Sequence, residues 1–222
     1  DWNNVSVVTW SSLQILWINL IGDSLPAIAL AMEPGTNSVM FEKPRNTLKS
    51  IFADGVWFKI VYESIFMGLA SLGAFFMCYY ISKTNETSLT GTDLITYAVR
   101  AGSTGAFLTL SLMQMVQIFH LKTNESLFKT NLFNNKILLL SVLASIILIL
   151  LVALIPPIAE VFNMTTFYEL GPIGLQYLWI VILVIGCPTV FMEIEKVIYN
   201  KVWRTKNLAN NDKINVKVNK KA

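Results

Sequence analysis

The chain has 222 residues, of which 54% are hydrophobic and only 14% charged. Long apolar runs alternate with short charged stretches, a pattern that excludes an ordinary soluble domain and indicates a polytopic membrane protein. The net charge of +3 sits in connections and a tail, not in a compact basic domain with interleaved aromatics. It therefore gives no sign of a nucleic-acid partner, and a basic tail suits anionic lipid equally well.

Five apolar spans are predicted, at 11–32, 55–81, 101–120, 137–155 and 174–195. The clearest runs from Ile137 to Ile155 with no charge in 19 residues, and reaches about 28 Å as a helix, close to the thickness of a hydrocarbon core. The strands of a membrane barrel would alternate over about ten residues, and these runs are longer and continuously apolar. The fold class expected is all-α, a multi-pass bundle of five transmembrane helices in the cell membrane.

All but two of the 17 basic residues fall on one side of these spans. Lys43, Arg45, Lys49 and Lys59 follow span one, Lys122, Lys129 and Lys136 follow span three, and eight more close and follow span five. Only Lys83 and Arg100 lie opposite. The bias of Lys and Arg toward the cytoplasm then puts the N-terminus outside and the C-terminus inside. The N-terminal stretch lacks the basic region of a secretory signal. Cys78 and Cys187 both fall within spans, which supports neither a disulfide framework nor a zinc site.

Span one holds WINLIGDSLPAIALAMEP, Trp17 to Pro34. Asn19 and Asp23 are four residues apart and share a helix face. Pro26 has no N–H, so in a regular helix the Gly22 carbonyl loses its partner. The stretch predicts a locally opened helix with a free carbonyl beside a carboxylate and an amide. Such hard oxygen donors suit calcium, magnesium or manganese, and a carboxylate within the membrane carries a functional presumption. The alternative is a kinked helix whose Asp23 is satisfied by a hydroxyl or water.

The connection after span one carries Pro34, Lys43, Pro44 and Arg45, which read either as membrane-side anchors or as a surface for another domain. In span two, GLASLG (Gly68–Gly73) predicts close helix packing, as does AGSTGAF (Ala101–Phe107) in span three. Glu63 has Lys59 four residues before it, enough for an ion pair. Further along span three, Gln114 and Gln117 share a face, with Ser111 one turn before. Either amide can ligate an ion or bond across helices, and Gln114 is the preferred ligand. His120 reads as a lone interfacial imidazole. Pro156, Pro157 and the GPIG of Gly171–Gly174 mark an outer loop. The division expected is a membrane domain at 1–205 and a disordered basic tail at 206–222. The sequence contains no GxxxxGK[ST] loop and no nucleophile–base–acid set, so any ATP-driven step belongs to sequence elsewhere.

The combination of Trp17–Leu20, Asp23–Ala27 and Pro44–Arg45 resembles the sixth transmembrane helix of type II P-type cation-transporting ATPases, nearest the calcium pumps. The similarity extends through FLTLSLMQMVQIFH to CPTVFMEIEK. It implies that the five spans are helices six to ten of a much larger pump. The absent partners would be helices one to five and the cytoplasmic domains that use ATP and magnesium. The complete pump would be an ATP-hydrolysing translocase, exporting cations in exchange for protons, and this chain would not hydrolyse ATP alone.

By the same resemblance, Asn19 and Asp23 match the ion-ligating amide and acid of helix six. Gly22 stands where many calcium pumps have a threonine ligand, and Gln114 where two-calcium pumps have a glutamate. These departures imply one ion per cycle, calcium ahead of manganese. Pro44 and Arg45 fall in the connection that couples phosphorylation to the ion sites. The other reading of the residues is a channel-like or accessory bundle in which Asp23 lines a passive path.

Overall fold

The computed structural model describes residues 10–33, 56–122, 135–166, 174, 176–187 and 189–197. Pro44, Arg45, the GPI of the outer-loop GPIG and the tail 206–222 lie outside the described residues. Five helices are long and apolar enough to cross a membrane: α1 (Ser12–Ala31), α2 (Val56–Asn85), α3 (Gly91–Lys122), α4 (Lys136–Leu154) and α6 (Gln176–Val197). A short sixth, α5 (Pro156–Val161), follows α4. Among the described residues there is no strand.

Helix α1 starts at a capping box: Gln14 N–H donates to Ser11 Oγ at 3.3 Å, and Ser11 N–H donates to Gln14 Oε1 at 2.9 Å. The Gln14 side chain is fully buried, and its Nε2 donates at 2.9 Å to both Ser103 Oγ and the Phe162 carbonyl. One amide thus joins the start of α1, the middle of α3 and the turn after α5. Trp17 and Phe162 meet edge-on at 5.5 Å beside it.

Helices α2 and α3 form a hairpin across residues 86–90, and a connection so short makes its helices antiparallel neighbours. Gly91 opens α3 with φ 66°, a conformation glycine adopts without strain. In the connection, Ser88 donates through its N–H and its hydroxyl to Glu86, which holds that carboxyl below its ordinary range.

The small residues of α3 are packed as predicted. A Cβ on Gly102 would lie 2.9 Å from the Phe75 carbonyl oxygen, and one on Gly105 would collide with Cys78 Sγ. In GLASLG, however, it is Ser71 that packs, donating to the Ala106 carbonyl at 2.9 Å. Gly68 and Gly73 have nothing within 4 Å of an added Cβ.

Two helices extend beyond the predicted spans. Helix α2 continues to Asn85, and α3 begins at Gly91, ten residues before the expected 101. Asp93 and Arg100 lower the hydropathy of that turn, yet its backbone bonds remain helical. Nor is PPIAEV a loop: proline is tolerated at the first helical positions, where no intrahelical N–H is required, and Pro156 and Pro157 occupy them in α5.

The largest core cluster joins α1, α3, α4, α5 and α6 through residues that include Ile18, Phe107, Met115, Ile149, Ala159 and Val181. Helix α6 attaches to α2, with Phe66 stacked on Phe191 at 4.3 Å. Tyr177 donates to the Cys78 carbonyl at 2.7 Å and is hydrogen-bonded to Ser82. The outer faces are apolar, as lipid requires: Leu69, Leu140, Trp179 and Leu183 are each more than 60% exposed.

Candidate cation site

The middle of α1 is not α-helical. Ile18–Ser24, the segment INLIGDS, is a π-helix, in which each carbonyl accepts from the N–H five residues on. That segment ends before Pro26, which lies in the α-helical stretch Leu25–Ala31. Within the widened segment the Ile21 carbonyl accepts from the Ser145 hydroxyl of α4 at 3.1 Å. Ser24 Oγ donates to the Asn19 carbonyl at 3.2 Å. The opening expected from the sequence is therefore a widened turn, and two side-chain hydroxyls satisfy its backbone.

The turn has two faces. Ile18, Gly22, Pro26 and Ala29 are buried in the bundle, whereas Asn19, Asp23 and Ser24 are exposed. Among the described residues, neither the Asn19 side chain nor the Asp23 carboxylate has a hydrogen-bond or ion-pair partner. The kinked-helix alternative, with a neighbouring hydroxyl on Asp23, has no such contact here: the nearby hydroxyls of Ser24 and Ser145 are given to backbone carbonyls.

Gln114 approaches this turn from α3. Its Oε1 lies 2.8 Å from the place a Cβ would take on Gly22, and it is buried without a hydrogen-bond partner. Ser111 Oγ, one turn earlier, is also buried and unpartnered. Gln117 is committed elsewhere, donating through Nε2 to Glu63 Oε2 at 3.2 Å. The two glutamines, equivalent by spacing, thus have different surroundings.

Glu63 also pairs with Lys59 at 3.7 Å, as expected. His120 is 2% exposed, with Nδ1 3.4 Å from Glu193 Oε1, so the imidazole is not alone. Its position among α2, α3 and α6, close to Lys59, Glu193 and Lys196, makes it part of a charged junction. Among the described residues no three His, Cys, Asp or Glu side chains gather as a metal cluster. The donors near the π turn are one carboxylate and neutral oxygens.

Several structural partners escaped the sequence reading. Gln14 had a visible signal in the Ser11-x-x-Gln14 capping pattern. Ser145 and Glu33 had none, since each hydrogen-bonds a residue more than 100 positions away, whereas Asn135 had the N-cap signal of an asparagine before an apolar run.

Residues 9–198 match the family described as cation transporting ATPase, C-terminus. The chain belongs to this family. It is 36% identical to the calcium-transporting ATPase of Bacillus subtilis over 151 residues, which is 68% of the chain and 16% of that protein. Over 154 residues it is 35% identical to calcium-transporting ATPase 1 of Bacillus cereus, covering 68% and 17%. With the calcium-transporting ATPase of Listeria monocytogenes it shares 30% identity over 205 residues, 92% of the chain and 20% of that protein. The chain spans a fifth or less of the length of these relatives. The chain is thus a multi-pass bundle that corresponds to the C-terminal membrane region of a cation-transporting ATPase.

Proposed function

We propose that this chain supplies half of an intramembrane divalent-cation site in an ATP-driven pump, with Asn19, Asp23 and Gln114 as ligands. The observation that carries the reading is the polar face of the π turn. Asn19 and Asp23 are exposed and without partners among the described residues, while Ile18 and Gly22 of the same turn are buried. A carboxylate facing lipid at that depth would cost several kcal/mol. Further helices and a cation resolve that cost together.

The donor chemistry supports a hard ion: a carboxylate and amide oxygens coordinate calcium readily. Three relatives named as calcium-transporting ATPases support calcium ahead of manganese. In this reading one ion moves per cycle, out of the cytosol and against protons. The remaining helices and the ATP- and magnesium-using domains lie in the rest of the pump, outside this chain. The N-terminus is outside, the C-terminus is cytoplasmic, and Pro44 and Arg45 relay phosphorylation to the site.

The test is radioactive calcium uptake by vesicles holding the full-length pump. Asp23→Asn keeps the shape and removes the charge, and is expected to abolish uptake. Unchanged uptake would remove Asp23 from the site. A reproducible ratio of two calcium ions per ATP would overturn the single-ion assignment.

A further inference from the structure

Gly22 is buried in the π turn, and its conformation does not explain why glycine stands there. Its φ is not positive, unlike that of Gly91. Within a helix, glycine is a poor choice wherever another residue fits. Space is the remaining reason, and it concerns one atom. An added Cβ would meet Gln114 Oε1 at 2.8 Å, while its next neighbours, Ile18 Cγ2 and Met115 Cε, stand at an ordinary 3.8 Å. That same Oε1 is buried and has no hydrogen-bond partner. A buried amide oxygen without a partner is unfavourable, and a bound cation would satisfy it.

We propose that Gly22 is a specificity-determining position, whose missing side chain admits the Gln114 amide oxygen to the π turn as a ligand of the divalent cation. Residues 22 and 114 then act as one unit. A larger residue at 22 would turn the amide away, and glycine exchanges a possible side-chain ligand on α1 for a neutral one on α3. The inference rests on the cation-site reading above, and assigns Gly22 a positioning role within it. Gln117 cannot substitute, because its amide is bonded to Glu63.

The contact is with the far end of a flexible side chain, so Gly22→Ala displaces Gln114 without forcing the backbone apart. In the full-length pump, equilibrium calcium binding and calcium-dependent ATPase activity are measured for Gly22→Ala, Gln114→Ala and the double variant. Each single variant is expected to raise half-saturating calcium by about tenfold, the size of losing one neutral ligand. The effect falls on half-saturation more than on the maximal rate. The double variant is expected to match Gln114→Ala alone. Wild-type affinity in Gly22→Ala, or effects that multiply in the double variant, would overturn the pairing. If Gly22→Ala reduces the yield of assembled pump, Gln114→Ala in the same chain restores it; a persistent loss would also overturn the proposal. Asp23→Asn separates the two readings. Loss of uptake in Asp23→Asn with a silent Gly22→Ala sinks only the pairing, whereas normal uptake in Asp23→Asn sinks the site itself.

Discussion

The Ser145 hydroxyl on α4 donates to the Ile21 carbonyl on α1 at 3.1 Å, within the π turn and five residues before Pro26. A proline in a helix usually leaves a carbonyl that water or a neighbour must satisfy. Within a bilayer water is scarce, and here a serine from the adjacent span supplies a donor to the π turn. Ser145 is fully buried and Ile21 half-buried.

Ser145→Ala should therefore lower stability by about 1 kcal/mol, the usual worth of a hydrogen bond between membrane helices. Pro26→Ala returns the missing N–H to α1, and if the hydroxyl stands in for it, the serine becomes redundant. Thermal unfolding of the four variants of this cycle, in one detergent, checks the relationship. The Ser145→Ala cost should nearly vanish when Pro26 is alanine. Equal costs in both backgrounds would mean that the hydroxyl does not replace the proline's donor.

Glycine substitutions divide sharply between two motifs that look alike. Gly102→Ala places a Cβ 2.9 Å from the Phe75 carbonyl, a backbone atom held by α2. The helices must separate, at about 1–3 kcal/mol, the range for overpacking a core. Gly68→Ala and Gly73→Ala enter open space and gain helix propensity, so they should be neutral or stabilising by up to about 1 kcal/mol. Melting temperatures in detergent distinguish the sets. A destabilising Gly68→Ala would reveal a neighbour on that face.

What the sequence made legible, and what it did not, follows the same division. Local composition located the five spans, and the Asn19, Asp23 and Pro26 spacing pointed to an irregular α1. Those signals lie within a few residues of each other. The register of the irregularity was not local, because the widened turn depends on a hydroxyl 124 positions away that satisfies Ile21. Likewise, Gln114 and Gln117 share a helical face, and only the neighbouring helices separate them: Gly22 stands beside one and Glu63 beside the other. Hydropathy also misjudged the start of α3, since it registers Asp93 and Arg100 but not backbone continuity.

At the opposite end of α1, Glu33 joins three helix ends. Its Oε1 lies 3.1 Å from Lys122 Nζ at the end of α3, and its Oε2 accepts from Asn135 Nδ2 at 2.6 Å. Asn135 does more: Nδ2 also donates to the Ala29 carbonyl at 3.2 Å, and Oδ1 accepts from Leu138 N–H at 2.9 Å, capping α4. The two residues differ in burial, since the Glu33 side chain is 32% exposed and Asn135 only 3%. Each removal strands a buried group: Lys122, whose side chain is only 5% exposed, loses its counter-ion in one case, and the Ala29 carbonyl and Leu138 N–H lose their partner in the other. Asn135→Ala should therefore cost about 2–3 kcal/mol, combining a lost cap with an unpaired buried carbonyl. Glu33→Ala should cost a comparable amount, about 2–3 kcal/mol, mostly from leaving the buried Lys122 ammonium without its counter-ion. Chemical denaturation of both variants in one lipid–detergent mixture measures the two costs. Should Glu33→Ala prove much the more damaging, the junction would be held by its charge pair and not by the asparagine cap.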